Sequence, residues 1–333
     1  VNRISWIRTS LERKLKLIRT KVIPAAVYGC EVSPVCLSTL RELQSAILNV
    51  LTAGSDIRSP ALTFTLRGAE PLLDPYAHIV INRLTLMRRM MDKHVELEPK
   101  ITSLLQRYER DNHVGTWRPG LAVQNLLPAP PPGAPGRKEW HPSTVARGPT
   151  ALLLCSIHEC GAAMGTDLAI RQHAEPTFQL RHTPFQYIRV FGTNLTDRAR
   201  MKASINCRTE LLGVDVADNS VYAAAMAKLD PDTQRQARCY VHGCWYTNYN
   251  LHKIDAADSP ACRFCGAEVE TPDHLVFDCP PLQHCRARAG GGLDKLNVEH
   301  LPPFIRKGIP VPLQAGMNTT FWGMPLTALG LDP

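Results

Sequence analysis

The chain has 333 residues, 44% of them hydrophobic, which is enough for about two domains with genuine cores. Lys and Arg number 38 against 30 Asp and Glu, a formal net charge of +8 with a pI near 9.0, and this balance favours polyanionic partners. Eleven cysteines, no apolar leader and no stretch long enough to span a bilayer predict an intracellular protein, nuclear and/or cytoplasmic, neither secreted nor membrane-bound, so the sequons at Asn194 and Asn318 match by chance.

The positive charge gathers at the front. Between Val1 and Lys21 stand Arg3, Arg8, Arg13, Lys14, Lys16, Arg19 and Lys21 against the single acid Glu12. Ile4, Ile7, Leu11, Leu15, Ile18 and Val22 recur every three or four residues, the pattern of one amphipathic helix with its basic residues mostly off the apolar stripe. Those charges either solvate a surface or contact phosphates, and Arg8, Lys14, Lys16 and Lys21 are the candidates for contact. The chain opens at Val1 inside this pattern, so it is expected to be a fragment.

Pro24 and Gly29 end the first segment. Thr39-x-x-Glu42 reads as a capping box opening a second helix through Leu40, Leu43, Ile47 and Val50. Tyr76, Val80, Leu84, Met87 and Met91 predict a third, carrying Arg83, Arg88 and Arg89. From Trp117 to Pro149 the pattern gives way to Pro and Gly, a semi-rigid linker. Ala151–Cys160 and Ala169–Arg189 are mixed and assign no element, whereas Thr196–Leu212, Val221–Leu229 and Asp232–Trp245 read as helices. Gly290-Gly291-Gly292 then breaks the chain before an aperiodic tail.

The expected architecture is mainly α. It comprises a helical N-terminal domain (1–112), a Pro/Gly-rich linker (113–150), a mixed, mainly helical region (151–230), a helix plus small CCHC zinc-binding module (231–289) and an irregular tail (290–333).

Cys262, Cys265, His274 and Cys279 follow C-x2-C-x8-H-x4-C spacing, which can close a tetrahedral structural zinc (Zn2+) site with no open position. Gly266 supplies a tight turn after the second cysteine, and Thr271-Pro272 reads as an N-cap and first helical residue. His274 and Cys279 stand five apart, so they converge only if the helix loosens or ends near Cys279, where Pro280-Pro281 stops it. The competing readings are buried thiols or a redox pair at Cys262 and Cys265. The Asp258-Ser259-Pro260 entry lacks the strand and helix setting of such a pair.

Two further triplets, Cys155-x2-His158-x-Cys160 and Cys239-x2-His242-x-Cys244, raise a second metal site against a reading as buried thiols. No phosphate-cradling Gly-rich loop, no H-E-x-x-H and no cluster of carboxylates fit for two-metal chemistry is present, so no catalytic residue and no small-molecule substrate are assigned.

Two stretches together resemble the C-terminal part of non-LTR retrotransposon reverse transcriptases. Lys16-Leu-Ile-Arg-Thr-Lys-Val-Ile-Pro-Ala-Ala-Val-Tyr-Gly29 is similar to the basic helix and YG segment just after the polymerase palm, which implies that the N-terminal domain is thumb-like. The segment from Cys262 to Pro280, with its C-x-x-C-G, E-T-x-x-H and C-P elements, is similar to the zinc-binding domain of these enzymes, and the helix and Gly243 expected upstream of it lie between Arg238 and Tyr249. The resemblance covers about a third of the chain, in the family's order. It implies an RNA template and/or DNA target as partner and a ribonucleoprotein setting, with Lys253, Arg263 and Arg286 presented by the zinc module. Fingers, the palm aspartates and an endonuclease are missing, so the implied piece does not polymerise. The alternatives are a zinc-stabilised structural or interaction protein, or an inactive retroelement remnant; a hydrolase built on the middle-region histidines is disfavoured.

Overall fold

The computed structural model describes residues 1, 4, 6–51, 59–67, 72–111, 148–172, 176–205, 208, 211, 214, 216–267, 269–289, 301–311, 320–321 and 324–325. Residues 113–147 of the expected linker, Arg3, and most of the tail lie outside them. The described chain is mainly α, as its patterning predicts, and forms two compact units. The first comprises Val1–Val50 and Pro71–Arg200, the second Leu51–Glu70 and Met201–Pro333.

In the first unit the leading helix is shorter than its stripe. Ser10 caps it by accepting from the N–H of Arg13 (3.4 Å), and the helix runs Leu11–Leu17. Ile7 is 46% exposed and Leu11 39%, so the stripe expected from Ile4 buries its side chains only from Leu15 onward. A π turn follows over Ile18–Val22, and the N–H of Ile23 donates to the carbonyl of Ile18. Pro24 accounts for it, because its ring nitrogen has no hydrogen to offer the Thr20 carbonyl and the ladder loosens there. The extra residue resets the phase, so that after Leu15 and Ile18 the next buried positions are Ile23 and Val27. Gly29, at φ 75°, turns the chain.

The next helix, Leu37–Leu51, opens earlier than the Thr39–Glu42 pair implies. The N–H of Leu40 already bonds the Cys36 carbonyl at 3.0 Å, so Thr39 lies inside the helix and caps nothing. The third helix, Pro75–Lys93, buries the expected face of Val80, Leu84, Met87 and Met91. Its N-cap, Asp74, accepts from the N–H groups of Tyr76 and Ala77 (3.1 and 2.7 Å), from Gln44 Nε2 (3.0 Å), and pairs with Arg200.

The same core receives Leu153, Leu154, Ile157 and Cys160 from the helix Pro149–Glu159, and a small antiparallel sheet that patterning did not foresee. Its strands β1 (Ala162–Met164), β2 (Ala169–Gln172) and β3 (Phe178–Gln179) lie in chain order, with Ala163 opposite Arg171 and Ile170 opposite Phe178. Phe178 stacks on Phe191 of the long helix Phe185–Ile205, ring centroids 3.9 Å apart. Arg83 is buried at the centre. Its Nε donates to Cys30 O (3.0 Å) and its Nη1 to Leu152 O and Ser156 Oγ (3.2 and 2.6 Å).

In the second unit Leu62, Leu66, Met201, Leu211, Tyr222, Val241 and Ile309 form a separate core. Helix Asn219–Met226 is capped by Asp218, and helix Pro231–Val241 by Asp230. The latter stops short of the expected Trp245 because Gly243, at φ 74°, closes it. The N–H of Gly243 bonds Tyr240 O (3.1 Å) and that of Cys244 bonds Cys239 O (2.8 Å), a Schellman motif. Thr320–Phe321 and Met324–Pro325 pair as a two-stranded ribbon in the tail.

Candidate metal centre

The ligands come from two short pieces of chain. The first is a knuckle. The N–H of Gly266 donates to Cys262 O (2.8 Å), the N–H of Cys262 donates to Ala267 O (2.9 Å), and Gly266 takes the left-handed φ of 73° that the turn requires. The N–H of Ala267 also reaches Cys265 Sγ at 3.4 Å.

The second piece begins with the expected cap, Thr271 Oγ1 accepting from the N–H of His274 at 3.0 Å. From there the helix is wound as π over His274–Asp278, and the N–H of Cys279 donates to His274 O at 2.7 Å. In an α-helix a residue five positions on lies roughly 140° round the cylinder. The wider turn brings Cys279 back beside His274.

Cys265 Sγ lies 3.2 Å from His274 Nε2 and Cys262 Sγ lies 3.9 Å from Cys279 Sγ. All four ligand atoms fall within 4.8 Å of one another. A tetrahedral ion with bonds of about 2.0–2.3 Å holds its ligands roughly 3.3–3.8 Å apart, so the set needs only slight closure. Cys262 and Cys279 are buried, Cys265 and His274 half-buried.

The thiols want a cation. Burial alone raises the Cys262 thiol, but hydrogen bonds from the N–H groups of Cys265 and Phe264, joined by the Cys265 and His274 side chains, outweigh it and bring the pKa down to about 7. Cys279 moves the other way, pushed up to about 11 by burial and by hydrogen bonding and like charge from its neighbouring cysteines. Cys262 and Cys279, their sulfurs 3.9 Å apart, cannot both ionise without a positive charge beside them, which a divalent cation would supply.

Behind the ligands a buried carboxylate ties the knuckle to the preceding chain. Glu270 accepts from the backbone N–H of Asn248 and of Arg263, both at 2.8 Å, and from the Arg263 guanidinium at 2.7 Å. Burial opposes its ionisation, yet Arg263 and these N–H groups hold its pKa below the usual carboxylate range. Arg263 also donates to Tyr246 O and Asn248 Oδ1, and Arg286 Nη2 donates to Cys279 O at 2.9 Å. Two of the three cations that the resemblance offers to nucleic acid are thus turned onto the module's own backbone and carboxylate. The third, Lys253, lies over the Tyr249 ring at 4.1 Å. Glu270 stands in the E-T-x-x-H element, but nothing in its spacing reveals a partner, and Asn248 gives no sequence signal at all.

Among the described residues no other group of three or more Cys, His, Asp or Glu converges in this way. Cys155 and Cys160 are buried thiols, each pushed up to about 12, chiefly by desolvation. Cys239 and Cys244 occupy the two positions that a Schellman motif brings together, which explains their spacing without a metal. The hydrogen bond from Cys244, helped by Arg235 and Arg238 against partial burial, lowers the Cys239 thiol to about 6. His242 Nε2 is engaged with Leu66 O at 3.2 Å.

On the N-terminal segment Arg8, Lys16 and Lys21 are exposed and Lys14 is half-buried. Among the described residues Arg8, Lys16 and Lys21 take part in no ion pair. No helix of the described residues is long and apolar enough to cross a membrane. No family model, no curated protein and no solved structure matches this chain.

Proposed function

We propose that the chain is a nucleic-acid-binding C-terminal piece of a retroelement RNA-directed DNA polymerase, lacking the catalytic palm, that engages an RNA template and/or a DNA target inside the cell. The reading is supported by the resemblance of the Lys16–Gly29 and Cys262–Pro280 segments, taken in the family's order. The observation that carries it is the exposed basic run of Arg8, Lys16 and Lys21, which meets no acid among the described residues.

The metal of the Cys3His set is proposed to be zinc, held by Cys262, Cys265, His274 and Cys279. Bound there it cross-links the two pieces of the module, and four protein ligands leave no position for chemistry.

The test is a fluorescence-anisotropy titration of duplex and single-stranded nucleic acid at two salt concentrations. Arg8, Lys14, Lys16 and Lys21 are compared with a variant carrying glutamine at all four. Each phosphate contact removed reduces the slope of log affinity against log salt by roughly 0.7–0.9. An unchanged affinity and slope, with circular dichroism intact, would sink the basic-helix reading.

One observation favours a second reading, a zinc-stabilised structural or interaction protein. Arg263 and Arg286 brace the module itself. Wild-type protein that binds neither nucleic acid at low salt would support it.

A further inference from the structure

The seam between the Pro75–Lys93 and Phe185–Ile205 helices carries an aromatic and basic strip that neither core needs. The helices approach closely at Gly192, where an added Cβ would come within 2.7 Å of Ile81 Cγ1. That closeness holds the first turn of the second helix against the last turns of the first. Phe185 remains 45% exposed there, with the guanidinium carbons of Arg88 and Arg89 at 5.7 and 5.9 Å from its ring centroid.

Arg88 is neutralised by Asp92, but Arg89 and Arg189 are exposed and, among the described residues, in no ion pair. Phe185 and Arg189 stand four apart and share a helix face.

An exposed ring beside guanidinium groups is poorly used as a protein core and well suited to an unpaired base. Every base offers a π face to an aromatic ring, guanidinium planes stack on bases as well, and free arginines beside them take the phosphates. A duplex hides those faces in its own stack.

We propose that Phe185, Arg89 and Arg189 form a contact for single-stranded nucleic acid, with a base stacked on Phe185 and the phosphates on the arginines. The proposal rests on the nucleic-acid reading above and adds the strand state and the residues that discriminate it.

A fluorescein-labelled oligo(dT) and a duplex of equal length are titrated by anisotropy against the wild-type chain, Phe185→Ala, Phe185→Tyr and the double variant Arg89→Gln/Arg189→Gln. Loss of one stacked base weakens oligo(dT) binding about tenfold. Phe185→Ala is expected to show that loss while binding duplex as the wild type does, with Phe185→Tyr retaining full oligo(dT) affinity. The arginine variant is expected to lower the oligo(dT) salt slope by roughly 1.4, two contacts at about 0.7 each. Because Phe185 is half-exposed, circular dichroism of Phe185→Ala should match the wild type; a folded Phe185→Ala protein with unchanged oligo(dT) affinity overturns the proposal and points to a protein partner for the strip. Wild-type chain that binds neither probe overturns the nucleic-acid reading along with it. Binding of both probes with Phe185→Ala unaffected overturns this proposal alone.

Discussion

The backbone N–H of Cys279 donates to the carbonyl oxygen of His274 five residues earlier, at 2.7 Å, and this bond sets two ligands of the candidate metal centre side by side. A π turn is a poor choice for a helix in isolation. Here it is favoured by what it closes, since regular winding would point Cys279 away from the other three donors.

Purified protein is therefore expected to hold one equivalent of zinc, and Cys265→Ser to lose it. Metal analysis by mass spectrometry decides the matter, and a serine variant that keeps a full equivalent would refute the ligand set. Zinc binding to such modules is worth on the order of 10 kcal/mol of folding free energy, so chelation is expected to release amide protection across Ser259–Arg288 in hydrogen exchange. Protection in the Pro75–Lys93 helix is expected to persist, because its core shares no residue with the module.

Glu270 and Arg263 should not be equivalent to mutation. Glu270 is fully buried and serves two backbone N–H groups, whereas the Arg263 side chain is 45% exposed and can be hydrated when its partner is lost. Glu270→Ala takes the acceptor from two half-buried N–H groups and the guanidinium and is expected to cost on the order of 2 kcal/mol, with Arg263→Ala costing clearly less. Zinc-competition titrations of the two variants provide the readout. Equal losses would mean that the ion pair, and not the carboxylate's backbone contacts, holds the knuckle.

Arg83 binds the carbonyls of Cys30 and Leu152 and the hydroxyl of Ser156, joining the turn after Gly29 to the Pro149–Glu159 helix. Arg83→Met retains bulk but strands these acceptors, at an expected cost of about 2–4 kcal/mol in chemical denaturation. Arg83→Lys is expected to recover little of it, since a single ammonium cannot reproduce a fork that spans two elements.

His242 makes stability depend on pH. Its Nε2 faces a carbonyl, which only accepts, so Nε2 carries a proton, while the buried Nδ1 has no hydrogen-bond partner among the described residues to hold a second one. Desolvation drives the pKa of this buried ring down to about 3, from an unperturbed 6.5. Below pH 6.5 the unfolded chain takes up the proton and the folded one does not, so stability falls as pH falls, by about 1.4 kcal/mol per unit until pH nears 3. Between pH 7.5 and 5 the wild type is expected to lose about 2 kcal/mol more than His242→Gln, whose amide can still donate to Leu66. Parallel stability curves for the two proteins would contradict the buried neutral ring.

The sequence by itself determined the mainly α class and the third helix, because a long 3.6-residue periodicity is a local signal that packing only has to accept. It also determined the ingredients of the candidate metal centre. Cys262, Cys265, His274 and Cys279, the Thr271 cap, the Gly266 turn and the need for a loosened helix before Pro280 all lie in one short segment, where spacing and backbone chemistry are sufficient. Tertiary structure decided what depends on distant neighbours. Ile7 and Leu11 share a stripe with Leu15 and Ile18, yet only the latter pair meets a core, because the helix starts behind the Ser10 cap and leaves Ile7 outside it and Leu11 on its exposed first turn, while the π turn before Pro24 moves the next inward positions to Ile23 and Val27. Arg83, Arg88 and Arg89 read alike in the chain, but one is buried on backbone carbonyls, one is paired with Asp92 and one is left on the surface. Strands of two to four residues carry too little alternation to be seen, and Arg263 finds Glu270 only when the knuckle closes. Burial and the choice of partner are properties of surfaces brought together, and no local pattern encodes them.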